Sequence, residues 1–346
     1  MTRAAAAMRA RRRLCRSLAV LAGAGAGAVA GAVAGAAPGR AAATAGTDDG
    51  DAAFWFGLLG DSPYGALDAL SFERVLAATA REGLQCLIHV GDIKSSAEAC
   101  SDALLAARIA LLDAAPHPLF YTPGDNEWTD CHAGADPLAP GNRLDRLEWL
   151  RRHVFSTDVS LGRRRRPLER QAKRFDGGAA LPENLRWRIG SLQFCTLHVV
   201  GSGNGLRRRG EIPRSAALAE WRVRQAANAR WLTDTAALAR RSGALGLAIA
   251  LHANMRFEQD DDDGWRAMRE VVVATARDWG GPVLLMHGDT HHFRADRLLA
   301  RSHGLPRLLR VESFGFPFAS SWVQIRWNPQ AIDDADGPFL VSTRSL

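Results

Sequence analysis

The sequence predicts an α/β fold in which apolar strands alternate with amphipathic helices and deliver acidic side chains to one sheet edge. Three observations carry this expectation. Four apolar runs stop at a Gly-Asp pair: FWFGLLGD at Gly60-Asp61, CLIHVGD at Gly91-Asp92, LFYTPGD at Gly124-Asp125 and PVLLMHGD at Gly288-Asp289. Short continuous apolar runs of this kind read as strands buried on both faces, as parallel strands are. Between them lie segments with apolar residues at helical spacing, and the tail changes to short runs with short links, which suits antiparallel hairpins. A fifth pair, Gly50-Asp51, follows no apolar run and sits in an acidic stretch.

Residues 1–45 hold seven Arg and no acid, then a weakly apolar Ala/Gly-rich stretch from Leu18 to Ala37 that ends in small residues. This is the pattern of a secretory signal peptide, and Arg11-Arg12-Arg13-Leu14 resembles a twin-arginine signal. Cleavage is expected after Ala43 or Ala45. A membrane anchor would need about twenty strongly apolar residues, so no span is expected once the leader is removed. Residues 46–346 have no composition break and read as one domain, placed in the periplasm or secreted.

Within that domain, Phe72, Val75, Leu76 and Thr79 recur at helical spacing in 67–82, and a strand over 84–90 completes a β-α-β unit. Ser101 reads as the N-cap of a helix carrying Leu104, Leu105, Leu111 and Leu112 that leads to a strand over 119–122. Leu144, Leu147, Leu150 and Val154 predict a helix over 143–155. A basic, less regular connection then runs to a strand over 192–200. A long helix is expected over 215–240, a strand over 245–251 ending at His252, a helix over 265–279 and a strand over 282–286. The tail segments 308–313, 322–327 and 339–342 read as strands.

Of 44 Lys+Arg, seven fall in the leader, which leaves 37 against 37 Asp+Glu. A formally neutral mature chain gives no support for general nucleic-acid binding. Local basic runs remain, Arg163–Arg166 with Arg170, Lys173 and Arg174, and Arg207–Arg209; they read as solvated loops, with steering of an anionic substrate as the alternative. Cys86 and Cys195 lie inside apolar strands and read as small buried side chains. Cys100 and Cys131 fall in loops after Asp92 and Asp125, so a disulfide between them is reasonable in an oxidising compartment.

Taken together, GDSPY at 60–64, GDIK at 91–94, GDNE at 124–127, His252 in LALHAN and GDTHH at 288–292 resemble the ordered blocks of the calcineurin-like metallophosphoesterases, which include purple acid phosphatases. The resemblance implies a four-layer αββα fold, two packed mixed β-sheets flanked by helices. By residue type, Asp61, Asp92, Asp125, His252, Asp289 and His291 supply oxygen and imidazole donors for two divalent metal ions. The resemblance makes Asp92 the bridge between them, with hydroxide attacking phosphorus in line with the leaving group.

The departures are as informative. Pro63 stands where the family's first block has a histidine, and Pro cannot bind a metal. Tyr64 follows at the Gly-Asp-x-x-Tyr spacing by which purple acid phosphatases add a tyrosinate, though they do so in the second block; it reads as a ligand, or as a turn residue packing its ring over the site. Asn126 replaces the acid-base histidine of the third block, and a carboxamide has no proton to give near neutral pH. His132 and His198 are the candidates to serve instead, His198 being better placed at a strand end. Asp289 puts carboxylate where imidazole was expected, which favours Mn, Mg or Fe over Zn.

The sequence therefore predicts an exported phosphoesterase, acting as a monomer on small phosphate mono- or diesters. A catalytically degenerate binding protein on the same scaffold is the alternative, suggested by the loss of three histidines at Pro63, Asn126 and Asp289. A nucleotide-binding α/β protein fits poorly, because no Gly-rich phosphate loop follows the first strand; Gly201-Ser202-Gly203-Asn204-Gly205 reads as a loop at the site's rim.

Overall fold

The computed structural model describes residues 52–131, 143–171, 181–206, 214–259 and 264–346. The leader, His132, Lys173, Arg174, Arg207–Arg209 and Asp260–Asp263 lie outside the described residues. In chain order, β1 (Phe54–Leu59), α1 (Gly65–Thr79), β2 (Leu84–His89), α2 (Asp102–Asp113), β3 (Leu119–Tyr121) and α3 (Arg143–His153) come first. Then follow β4 (Glu169–Gln171), β5 (Leu181–Ile189), β6 (Leu192–Thr196), the single turn α4 (Gly201–Asn204), α5 (Arg214–Arg241), β7 (Gly246–Ala250), α6 (Arg266–Trp279) and β8 (Val283–His287). The chain closes with β9 (Arg294–Asp296), α7 (Leu299–His303), β10 (Leu308–Glu312), β11 (Ser321–Trp327) and β12 (Phe339–Ser345).

These strands form two mixed sheets, a five-stranded one in the order β12-β11-β1-β2-β3 and a seven-stranded one in the order β4-β5-β6-β7-β8-β10-β9. In the first, β1, β2 and β3 run parallel, and the β11/β12 hairpin pairs antiparallel with β1. In the second, β6, β7, β8 and β10 run parallel. The segment at 308–313, expected in a hairpin tail, is β10: it lies parallel to β8 and antiparallel only to the short β9.

The alternation of side chains across a strand assigns the layers. On β7, Leu247 and Ile249 pack with Trp231, Leu232, Met268 and Val272 of α5 and α6, while Ala248 and Ala250 join the core between the sheets. On β8, Val283 and Leu285 face the helices, and Leu284 and Met286 face inward. On the other side, Phe72, Val75 and Leu76 of α1 and Leu105 and Leu112 of α2 cover the five-stranded sheet. The result is an α/β fold of two packed mixed sheets flanked by helices. Aromatic rings lock the sheets together: Phe120 of β3 stacks on Trp187 of β5, and Phe56 of β1 meets Phe194 of β6 edge-on at 5.2 Å.

The connection read as irregular contains β4 and β5. In β5, Glu183 and Asn184 are buried while Arg186 and Arg188 are only partly covered, so polar residues break the apolar run that would have marked the strand. Cys100 and Cys131 are joined, with Cα atoms 5.7 Å apart, and Cys86 and Cys195 are buried thiols. Among the described residues, no helix is long and apolar enough to cross a membrane.

Candidate metal centre

The acidic residues do not share one sheet edge. Asp61, Asp92 and Asp125 follow β1, β2 and β3 of the five-stranded sheet, whereas His252 and Asp289 follow β7 and β8 of the other, so the site forms where the carboxyl ends of both sheets meet. The Gly of each Gly-Asp pair is there for a steric reason. A Cβ on Gly124 would collide with the Asp92 carboxylate, and one on Gly288 with that of Asp61. Each of these two glycines thus lets a carboxylate from another block pass beside the backbone. The turns that follow are tight: Asp61, Asp92, Asp289 and His291 have φ of 50°, 58°, 80° and 64°. Asp and His tolerate this left-handed region better than most residues, and such conformations cluster at functional sites.

Backbone amides then fix the carboxylates. The Asp289 N–H donates to both Asp61 oxygens at 3.0 Å, the Asn126 N–H donates to Asp92 Oδ1 at 3.0 Å, and the Asn254 N–H donates to Asp289 Oδ2 at 3.0 Å. Glu127 braces the turns from beneath, accepting from Ile93 N–H, Tyr121 O–H and Gly124 N–H.

Both histidines present the same nitrogen. His252 Nδ1 donates to the Val90 carbonyl at 2.7 Å, which turns Nε2 toward Asp125 Oδ1 at 2.9 Å, Asp92 Oδ1 at 3.5 Å and Asp289 Oδ1 at 3.9 Å. His291 Nδ1 donates to the Phe316 carbonyl at 2.8 Å, and its Nε2 lies 3.6 Å from Asp61 Oδ1. A backbone carbonyl on one ring nitrogen fixes the tautomer that leaves the other free to bind a metal.

Tyr64 and Asn126 close the remaining side. The Tyr64 hydroxyl donates to Asp92 Oδ2 at 3.0 Å and lies 3.3 Å from His291 Nε2. Asn126 Nδ2 donates to the same Asp92 oxygen at 2.5 Å and to the Tyr64 hydroxyl at 3.3 Å. Asp92 therefore turns Oδ1 toward His252 and Oδ2 toward Tyr64 and Asn126.

The electrostatics show a shortage of positive charge. Burial, reinforced by neighbouring carboxylates and only partly offset by His252, holds Asp61 and Asp92 well above the usual carboxylate range. Burial likewise pushes Asp289 up to about 6. Burial also acts on Asp125, but the His252 hydrogen bond and charge outweigh it and its pKa falls. His252 is buried as well, yet Asp92, Asp125 and Asp61 raise it well above the ordinary value. Burial and the charges of Asp92 and Asp61 keep the Tyr64 phenol protonated.

Not every expected residue joins this cluster. His198 is fully buried, but its Nδ1 contacts Glu183 at 2.8 Å, its ring lies against Trp128, and no hydrogen bond or ion pair links it to the four aspartates. Gly201 does border the site, since a Cβ there would fall 2.5 Å from Asp125 Oδ1 and 2.7 Å from Asp289 Oδ1. The Arg163–Arg166 run lies at the opposite end of β3: Arg163 N–H donates to Ala115, and Arg164 and Arg165 bond Pro116 and Asp113. It does not line the carboxylate cluster. Phe316 and Val90, whose carbonyls orient the two histidines, gave no sign in the sequence, because any residue type supplies that oxygen.

The donor set suits hard divalent cations. Asp61, Asp92 and His252 bring one ligand atom each within 4.8 Å of one another, and so do Asp125, His252 and Asp289.

A scan against protein-family models finds no match, and a search of curated proteins finds none. Among solved structures, a dimetal phosphatase from Danio rerio is 14% identical with a TM-score of 0.44, over 79% of this chain and 92% of that one. GAP50, the anchor in the inner membrane complex of Plasmodium, is 8% identical with a TM-score of 0.48, over 85% and 84%. A purple acid phosphatase from yellow lupin (Lupinus luteus) seeds is 12% identical with a TM-score of 0.46, over 85% of this chain and 54% of that one. At these identities and scores, the functional reading rests on the site itself.

Proposed function

We propose that this protein is a divergent calcineurin-like metallophosphoesterase, exported from the cell, that hydrolyses phosphate mono- or diesters at a two-metal site. One observation carries the reading: two overlapping triads of carboxylate and imidazole donors share His252 and adjoin through Asp92. Asp61, Asp92 and His291, with the Tyr64 hydroxyl at their edge, would hold one ion; Asp92, Asp125, His252 and Asp289 would hold the other. Such a pair of ions supplies a potent nucleophile from water and neutralises charge on the attacking and leaving oxygens. Asn126 positions Asp92 and the Tyr64 hydroxyl through its amide, but it cannot protonate a leaving group. Esters with good leaving groups are therefore the expected substrates. The leader and the Cys100–Cys131 bond support export to an oxidising compartment.

The test is hydrolysis of a chromogenic phosphate monoester and diester with Mn²⁺, Mg²⁺, Fe²⁺ and Zn²⁺ supplied in turn. Turnover with the hard ions, lost by at least about 100-fold in a folded Asp92→Asn variant, is expected, since removing a ligand costs no less than the 10–100-fold seen for its supporting partners. Undiminished turnover in that variant would sink the assignment. A second reading, a non-catalytic binding protein, is favoured by the engagement of His198 with Glu183 and by Asn126 in the acid-base position. It predicts metal and phosphate binding with no hydrolysis of either ester.

A further inference from the structure

Among the described residues the exposed aromatic side chains are Phe316 and Phe318, 45% and 52% accessible, and both lie in the turn after β10. That turn is seated on the metal-ligand cluster. The Phe316 N–H donates to the Asp61 carbonyl at 2.9 Å, and the Phe316 carbonyl accepts from His291 Nδ1. Gly315 passes so close that a Cβ would fall 2.5 Å from Asp61 Cβ. The Phe316 ring stacks on Tyr64 with centroids 5.7 Å apart and planes 26° from parallel, and the Tyr64 hydroxyl contacts Asp92 and His291. An apolar wall thus begins one ring's width from the carboxylates, with its outer face open. An exposed ring held this firmly by backbone bonds on both sides loses little entropy when another ring stacks on it.

We propose that Phe316 is a specificity-determining platform and that the substrate carries a planar aromatic group attached directly to its phosphoryl unit. The inference rests on the phosphate-site reading above and extends it to a substrate class, aryl phosphates. It fits the absence of a proton donor at Asn126, because phenolate-type leaving groups depart without protonation more readily than alkoxides do.

The experiment compares phenylphosphonate with methylphosphonate, neither of which has an ester bond to hydrolyse, by calorimetric titration of Mn²⁺-loaded protein. Wild-type protein is expected to prefer phenylphosphonate by about tenfold, or about 1.4 kcal/mol, in line with the worth of one aromatic contact. Phe316→Ala keeps the backbone carbonyl that orients His291, so it should abolish the preference by weakening phenylphosphonate more than methylphosphonate, and be rescued by Phe316→Tyr. Equal affinity of wild-type protein for both ligands overturns the platform, and so does a preference that survives in Phe316→Ala. Equal weakening of both ligands by that variant also overturns it, since Phe316 would then be acting through the metal ligands. Sedimentation velocity covers the other occupant: a wild-type dimer that Phe316→Ala dissociates, with no change in ligand preference, assigns the aromatic pair to a second copy. If phenylphosphonate is preferred yet no ester is hydrolysed, the platform stands and the catalytic reading fails. If methylphosphonate binds without an aryl preference, the platform alone fails.

Discussion

At His89 a buried imidazole ties two of the Gly-Asp turns together. Its Nε2 donates to the Ser62 carbonyl at 2.8 Å, next to Asp61, and its Nδ1 accepts from the Gly91 N–H at 3.2 Å, next to Asp92. That pattern needs a neutral ring with one donor and one acceptor. Burial pulls its pKa down from 6.5 to about 4. The folded value lies below the unfolded one, so the stabilisation is complete above about pH 6.5. It is lost as pH falls toward 4, where the unfolded chain takes up a proton that the folded chain refuses. A shift of this size corresponds to about 3 kcal/mol. Urea unfolding at pH 7 and pH 4 should show a stability difference that shrinks by about that amount in His89→Gln. An unchanged difference would show that other groups carry the acid sensitivity, with buried His287, lowered to about 3, the next to test.

The helices and most strands were legible in the sequence because their cores are single-minded: Phe72, Val75 and Leu76 keep one face of α1, and the four runs before the Gly-Asp pairs are predominantly apolar. Strand β5 was not, since Glu183 and Asn184 are buried in it to serve His198, Arg151 and Asn228, a purpose that only tertiary contacts reveal. The acidic and imidazole side chains that gather at the site were visible in the blocks, but the split of those blocks between two sheets was not. Local sequence says where a strand ends and not which strand lies beside it. The Cys100–Cys131 bond is an element-scale device of the same kind. It joins the loop after β2 to the loop after β3 across 31 residues, and the two sulfurs lie 3.8 and 3.6 Å from the Asn126 carbonyl. Closing a loop of that length stabilises the fold by about 3 to 4 kcal/mol in the chain-entropy account. The Cys100→Ser/Cys131→Ser double variant should lose about that much unfolding free energy, and equal stability of the two proteins would refute it.

At the scale of the whole molecule, the carboxylate cluster is a charged joint between two sheets that pack mainly through an apolar core. One sheet contributes Asp61, Asp92 and Asp125, the other contributes His252, Asp289 and, through the turn after β8, His291. Gathering four carboxylates, three of them buried, around His252 is unfavourable without added positive charge, as the raised values of Asp61, Asp92 and Asp289 attest. Divalent ions would supply that charge and tie the sheets at the seam. A cation that binds only the folded chain at a hundred times its dissociation constant stabilises it by about 2.7 kcal/mol. Protons compete for the same oxygens. Asp289, with a folded value of about 6 against 3.8 unfolded, favours folding most below the unfolded value, and this contribution is lost as pH rises through about 6. The metal-free protein therefore suffers most from its own charges at neutral pH. Unfolding free energies measured with Mn²⁺ and with a chelator should differ more at pH 7 than at pH 5, and Asp92→Asn should narrow the difference at pH 7. A metal increment that is the same at both pH values would mean that these carboxylates do not hold the ion.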